Sequence, residues 1–188
     1  RILFAVVVAE VISFGVIIPL VPQMFTEPAS SFYILQQGTS AAMGYILLGL
    51  TIGLYPLGQF VSTPILGELS DVFGRRRVIQ LSIAGTVVSS LVFAAGMVYN
   101  SLSLLLVSRL FNGLTGGLIS VAQATIADVS TRGDKSKNFG LIGVAFGLGF
   151  MLGPFLGGVL STESLALLGI STPLIFAATV SFLSMVFV

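Results

Sequence analysis

Residues 67 to 77 read GELSDVFGRRR, Gly67 through Arg77, and the stretch stands between two long apolar runs. By its chemistry it is a tight turn bracketed by Gly67 and Gly74, with Glu68 and Asp71 in its first half and Arg75, Arg76 and Arg77 after it. The apolar runs on either side cover about 41–68 and 78–99. A helix rising ~1.5 Å per residue needs about 20 apolar residues to cross a ~30 Å hydrocarbon core, and both runs meet that length. Further outward, the stretches 2–25, 102–128, 138–160 and 173–188 have the same character, the last being the shortest. Barrel strands would be about ten residues long with alternating polarity, a pattern not seen here, whereas helices close their own backbone hydrogen bonds in lipid. The expected fold is therefore an all-α, six-transmembrane-helix bundle, one domain over 1–188.

Composition points the same way. Charged residues make up 8% of the chain and hydrophobic residues 55%. A soluble surface needs about 25% charge, so a soluble globular enzyme and a disordered tail are both excluded. Histidine and cysteine are absent. That removes His-based acid/base and nucleophile chemistry, the usual metal ligands and any disulfide framework, so no metal site is expected. No Gly-x-x-x-x-Gly-Lys loop occurs, and Gly147-x-Gly149-x-x-x-Gly153 lacks the spacing and preceding strand of a dinucleotide fingerprint. A net charge of +1 gives no reason to expect a nucleic-acid partner.

The basic residues set an expected orientation. Arg1, Arg75, Arg76, Arg77, Arg132, Lys135 and Lys137 fall at the start and in two alternate loops, whereas 26–40, 100–101 and 161–171 hold no lysine or arginine and include Glu27 and Glu163. Cytoplasmic loops carry the excess of Lys and Arg, which places both termini in the cytoplasm. The first span is too long for a signal peptide, and holds Glu10, Pro19 and Pro22.

Two charges lie inside spans. Burying Glu or Arg at the centre of a helix costs roughly 2.5–3.5 kcal/mol on insertion scales, so each needs a partner or a water-lined cavity. Glu10 sits about 13 Å from one end of its span and Arg109 about 12 Å from the opposite end of another, at ~1.5 Å per residue. Those depths allow an ion pair or one shared cavity. A carboxyl group there responds to substrate or to conformational change, which is the minimum required of a proton-coupled carrier. Glycines at four-residue spacing, Gly49 and Gly53, Gly113 and Gly117, Gly143 and Gly147, and Gly149, Gly153 and Gly157, let helices approach closely.

Three motifs carry a resemblance. Gly67, Leu69, Asp71, Gly74, Arg75 and Arg76 match Gly-x-Leu-x-Asp-x-x-Gly-Arg-(Arg/Lys), the signature loop of the major facilitator superfamily, at its expected place between spans two and three. Arg109-x-x-x-Gly113, followed by Gly116 and Gly117, is similar to that family's fourth-helix pattern. Gly149, Gly153, Pro154, Gly157 and Gly158 resemble its fifth-helix antiporter motif. Glu10, nine residues before Pro19, stands where tetracycline/proton antiporters tend to carry Asp. The overall likeness is to the amino-terminal six-helix half in the drug/proton antiporter branch.

The resemblance implies proton-coupled export of small amphipathic compounds by alternating access, not an enzyme. It implies no cofactor beyond a proton gradient, and a location in the bacterial inner membrane among its lipids. Asp71, Arg75 and Arg76, with Asp128 as partner to one arginine, would form a cytoplasmic gate framed by Gly67 and Gly74. Glu10 and Arg109 would lie in or beside a central cavity. Gln59 and Gln123 would bond substrate or neighbouring helices, and Phe14, Tyr45, Tyr55 and Phe146 would line an apolar pocket or pack against lipid and helices. The partner is a second six-helix bundle, either a carboxy-terminal half beyond this chain or a second copy as a homodimer. Rival expectations are an importer or uniporter of metabolites, against which the fifth-helix motif argues, and a receptor or scaffold that keeps the bundle without transport.

Overall fold

The computed structural model describes residues 2–36, 38–131, 133–162 and 171–188. Arg1, Arg132 and Glu163, used above for orientation, lie outside the described residues. The helices are α1 (Ile2–Gly15), α2 (Leu20–Thr26), α3 (Ala41–Phe73), α4 (Arg75–Val98), α5 (Leu102–Thr115), α6 (Leu118–Val129), α7 (Lys135–Leu160) and α8 (Thr172–Phe187). Taken end to end, α1 with α2 and α5 with α6 each make one rod, so five rods are long and apolar enough to cross a membrane. The helix α8, at 16 residues, is the shorter sixth.

The sequence predicts unbroken first and fourth spans, but both are interrupted. In the first, Pro19 and Pro22 lack the N–H that an α-helix needs, and Leu20 N–H bonds to Ile17 O at 3.0 Å in a tighter turn. In the fourth, Gly116 and Gly117 part α5 from α6. Carbonyls near this break accept from donors on α3: Gln59 Nε2 donates to Gly116 O at 2.9 Å, and Ser62 Oγ to Gly113 O at 2.9 Å beside the Gly116 N–H that the same carbonyl accepts. Side-chain donors from a neighbouring helix are what make such a break tolerable in lipid.

The stretch 67–77 is tighter than the turn its sequence suggests. Helix α3 runs through Gly67 to Phe73, and α4 begins at Arg75. A glycine inside a helix costs only about 1 kcal/mol against alanine, so Gly67 does not end it. Gly74 does, at φ 91°, a backbone conformation that L side chains rarely adopt. At the opposite end Asn100, at φ 48°, turns α4 into α5. Ser40 caps α3 by accepting from Met43 N–H at 3.3 Å, and Pro173 sits in the first turn of α8.

The main helix contacts are α1 with α7, α3 with α5, α4 with α5 and α8, and α1 with α8. Exchanging the first three rods with the last three maps these contacts onto themselves, the pattern of a threefold-helix unit used twice. Small residues allow the two closest crossings. A methyl group on Gly153 would stand 2.7 Å from Gly15 Cα, and one on Gly58 would stand 2.8 Å from Leu110 O and 3.1 Å from the Gly113 carbonyl carbon. Gly49, Gly53, Gly143 and Gly147, expected as packing sites too, have open space beside them, on outward faces of α3 and α7.

Two apolar cores result. One gathers Val7, Val11, Val78, Ile83 and Val121, and the other Met24, Phe25, Phe93, Met97, Leu105 and Leu174. Residues of α1, α3, α4, α5, α6 and α7 together line a cavity.

Candidate functional site

That cavity has a volume of about 220 Å³ and two unlike walls. One wall is polar. Helix α4 brings Ser82, Thr86 and Ser90 to it, α5 brings Asn112, and α3 brings Tyr55 and Gln59. Four-residue spacing sets the three hydroxyls of α4 in a row on one helix face. The facing wall is aromatic, with Phe14 of α1 and Phe146 and Phe150 of α7. Phe14 meets Phe150 edge to face at 6.2 Å between centroids, and Phe146 stacks on Phe150 at 6.0 Å.

Glu10 enters the cavity from α1. Ser184 Oγ of α8 lies 3.3 Å from its Oε1, placed to donate, and the hydroxyls of Ser181 and Thr86 face the same carboxyl. Ser181 Oγ donates to Ser13 Oγ at 3.0 Å, and Ser13 in turn bonds to Ala9 O at 2.9 Å or Ala177 O at 3.2 Å. A run of hydroxyls thus leads from Glu10 into the α1/α8 contact. No described lysine or arginine forms an ion pair with Glu10.

Arg109 is 3% exposed and does not meet Glu10. Its guanidinium lies over the Phe93 ring, 4.6 Å from the centroid, a favourable place for a cation. Its Nε and Nη2 have no hydrogen-bond partner among the described residues. It borders a second cavity, of about 280 Å³, whose other walls are almost wholly apolar. Phe14 and Tyr55 line both cavities, and their rings meet at 4.9 Å and 41°. The expected ion pair or common cavity is therefore replaced by two compartments with an aromatic wall between them. Matching depth was not enough: α1 turns Glu10 towards α4 and α8, while α5 turns Arg109 towards Phe93 and the α1/α3 cleft.

Around Gly74 the charges are organised by one arginine. Arg75 forms an ion pair with Asp71 at 2.6 Å, and its Nε donates to Asp128 Oδ2 at 3.1 Å, tying α3 and α4 to the end of α6. Its Nη1 also donates to Ser70 Oγ. Arg76 and Arg77 are exposed, without a described ion pair.

In the fifth rod, Gly149, Gly153 and Gly157 face Val11, Gly15 and Val16 of the first, with Pro154 beside Gly15. Gly158 has open space around it. Tyr45, 66% exposed, and Gln123, also exposed, line neither cavity. Gln59 has its amide committed to the α5/α6 break while still bordering the first cavity. Sequence reasoning missed Ser82, Thr86, Ser90, Asn112 and Ser184. The four-residue spacing of the α4 hydroxyls was the available signal for three of them.

The match to the Major Facilitator Superfamily covers residues 3–188. The chain belongs to that superfamily. Among curated relatives, it is 34% identical over 164 residues to the class C tetracycline resistance protein of Escherichia coli, covering 87% of this chain and 38% of that one. It is 35% identical over 194 residues to major facilitator superfamily domain-containing protein 10 of Bos taurus, covering 93% and 42%. The crystal structure of the human organic anion transporter MFSD10 (TETRAN) superposes with a TM-score of 0.78 at 28% identity, over 99% of this chain and 45% of that one. The D-xylose-proton symporter shares the fold, with a TM-score of 0.75 at 15% identity, over 99% and 46%. The chain thus spans less than half the length of these relatives. Major Facilitator Superfamily members are transporters rather than enzymes, and the apolar rods make this one a multi-pass integral membrane protein.

Proposed function

We propose that this chain is one half of a secondary transporter that exports small amphipathic compounds in exchange for protons. The observation that carries the reading is the Glu10 carboxyl, set among hydroxyls and without a cationic partner among the described residues, at the edge of a cavity of about 220 Å³. An ionisable group at membrane depth, facing a cavity rather than lipid, marks an ion or substrate pathway. Its proton and a substrate in the same cavity would compete, and that competition is what exchange requires.

The other half is a second six-helix bundle, either a carboxy-terminal half or a second copy of this chain, and the two would rock about a shared midplane site. Asp71, Arg75 and Asp128 latch one end as the cytoplasmic gate, and Arg76 and Arg77 hold that end on the cytoplasmic side, which in a bacterium is the inner face of the inner membrane. The Gly149, Gly153, Pro154 and Gly157 face keeps the fifth rod close against the first, and so close to Glu10. No cofactor is required beyond the proton gradient.

The test is flux in proteoliposomes holding the complete transporter. An imposed pH gradient should drive uptake of a lipophilic fluorescent amine or of tetracycline, and Glu10→Gln should abolish the response to the gradient while leaving passive exchange of substrate. Undiminished gradient-driven flux in Glu10→Gln would remove Glu10 as the coupling group.

A further inference from the structure

The hydroxyls that reach Glu10 from α8 each have one proton and more than one acceptor to give it to. Ser184 Oγ lies 3.3 Å from Glu10 Oε1 and 2.8 Å from Ser181 O, a turn back in its own helix. Ser181 Oγ faces the same carboxyl and lies 3.0 Å from Ser13 Oγ of α1. Ser13 Oγ in turn reaches Ala9 O at 2.9 Å in α1 or Ala177 O at 3.2 Å in α8. A hydroxyl donates once, so neither Ser184 nor Ser181 can serve both of its acceptors. The carboxyl decides between them. A carboxylate only accepts, and bonds to it are roughly twice as strong as bonds between neutral groups, so a charged Glu10 draws both protons across from α8. Once Glu10 is neutral that advantage is gone. Ser184 returns its proton to Ser181 O, the nearer acceptor, and Ser181 gives its own to Ser13.

We infer that Ser181 and Ser184 are positioning residues for the coupling carboxyl, tying α8 to α1 while Glu10 is ionised and releasing that tie when it takes up a proton. The outer face of the same contact leaves room for the release. There a groove of about 450 Å³ runs between the two helices, with Ala5, Val6 and Ala9 of α1 facing Val180, Leu183 and Phe187 of α8, and Ser184 is the one polar side chain lining it among the described residues. Helix α8 can shift against α1 along this groove and keep its packing on α4. No described charged group competes for the carboxyl. To its cavity α4, α5, α6 and α7 bring Thr86, Asn112, Ile119 and Phe146, and α3 brings Tyr55, the other titratable side chain among those lining it. Thr86 follows the same rule as the serines, since its alternative acceptor is Ser82 O at 3.3 Å in its own helix. The inference rests on the exchange reading only in that Glu10 changes charge during transport.

The experiment measures the α1/α8 separation directly. This chain has no cysteine, so Ala5→Cys and Leu183→Cys, on opposite sides of the groove, place one spin label on each helix of the complete transporter in lipid nanodiscs, in a background whose other half also lacks cysteine. Spectra are taken from about pH 9 down to about pH 4, a range that covers most carboxyl groups in proteins. Dipolar broadening between the labels should be strong at high pH and should fall away as the pH drops. Glu10→Gln should give the low-pH spectrum throughout, and so should Ser181→Ala combined with Ser184→Ala. Ser184→Thr, which keeps the hydroxyl, should restore the transition that the alanine variants lose. Broadening independent of pH in the unsubstituted background overturns the inference, as does a transition that survives in Glu10→Gln or in the double alanine variant. Failure of the exchange reading gives a different result: gradient-driven flux undiminished in Glu10→Gln would remove Glu10 from exchange and leave the spectral transition in place.

Discussion

Phe14 and Tyr55 touch ring to ring at 4.9 Å, and on one side of that contact lies a carboxyl group, on the other a guanidinium. Glu10 and Arg109 border different cavities that share these two rings, and they form no ion pair. Phe14→Ala should join the two compartments. We expect a loss of stability of about 1–3 kcal/mol, from the lost ring contacts and the space left behind, and tighter binding of probes too bulky for either cavity alone. Unchanged size selection in a folded Phe14→Ala protein would show that these rings do not divide the site.

The crossing of α1 and α7 depends on the absence of side chains. Gly153→Val places branched carbon where Gly15 Cα and Ile12 O already stand at 2.7 and 2.9 Å from a single added methyl group. Overpacking of this kind costs typically 1–3 kcal/mol, so thermal unfolding in detergent should show a clearly lowered midpoint. Gly67→Ala is the contrasting change, since open space surrounds a glycine inside a helix. It should raise stability by up to about 1 kcal/mol.

Arg75 and Asp128 hold α4 to α6 through a pair whose side chains are 26% and 58% exposed. Exposed pairs contribute about 0.2–1 kcal/mol and weaken with salt. A double-mutant cycle of Arg75→Ala and Asp128→Ala should return a coupling energy in that range at low salt and close to zero at 1 M salt. A coupling several times larger and indifferent to salt would mean a desolvated pair rather than a reversible latch.

Ser82 Oγ is buried and has no hydrogen-bond partner among the described residues, yet it borders the Glu10 cavity. An unsatisfied buried hydroxyl typically costs about 1–3 kcal/mol. Ser82→Ala should therefore leave the folded protein as stable or more stable. If a substrate supplies the missing bond, the same change should raise KM for transport with little effect on the unfolding midpoint. Lower stability in Ser82→Ala would instead mean that the hydroxyl has a structural partner.

Hydrophobic run length made the six rods readable, because the bilayer sets a length that no other element satisfies so simply. Broken rods were less readable. Pro19 and Pro22 were visible inside the first span, but the fourth gives way at Gly116 and Gly117, where the stabilising donors come from Gln59 and Ser62 on another helix. Tyr45 and Tyr55 show why site residues were only partly legible. They share α3, but ten residues at about 100° each leave them about 80° apart around it, and only one reaches the cavities. The serine and threonine wall was harder still to see. Such hydroxyls can bond to the carbonyl three or four residues back, as Thr86 does to Ser82 O at 3.3 Å, so their presence in an apolar helix raises no alarm in the composition.

Gly74 joins two long helices without a loop, since α3 ends at Phe73 and α4 starts at Arg75. A linker of several residues would let the helices slide, part or twist independently. A single residue leaves two backbone torsions as the available freedom, so α4 can only swivel about a fixed pivot. Torque applied at one end of α3 must then reach α4 as a change of angle rather than be lost in slack. The Arg75 contacts, weak enough to break and re-form, set the resting position of that pivot.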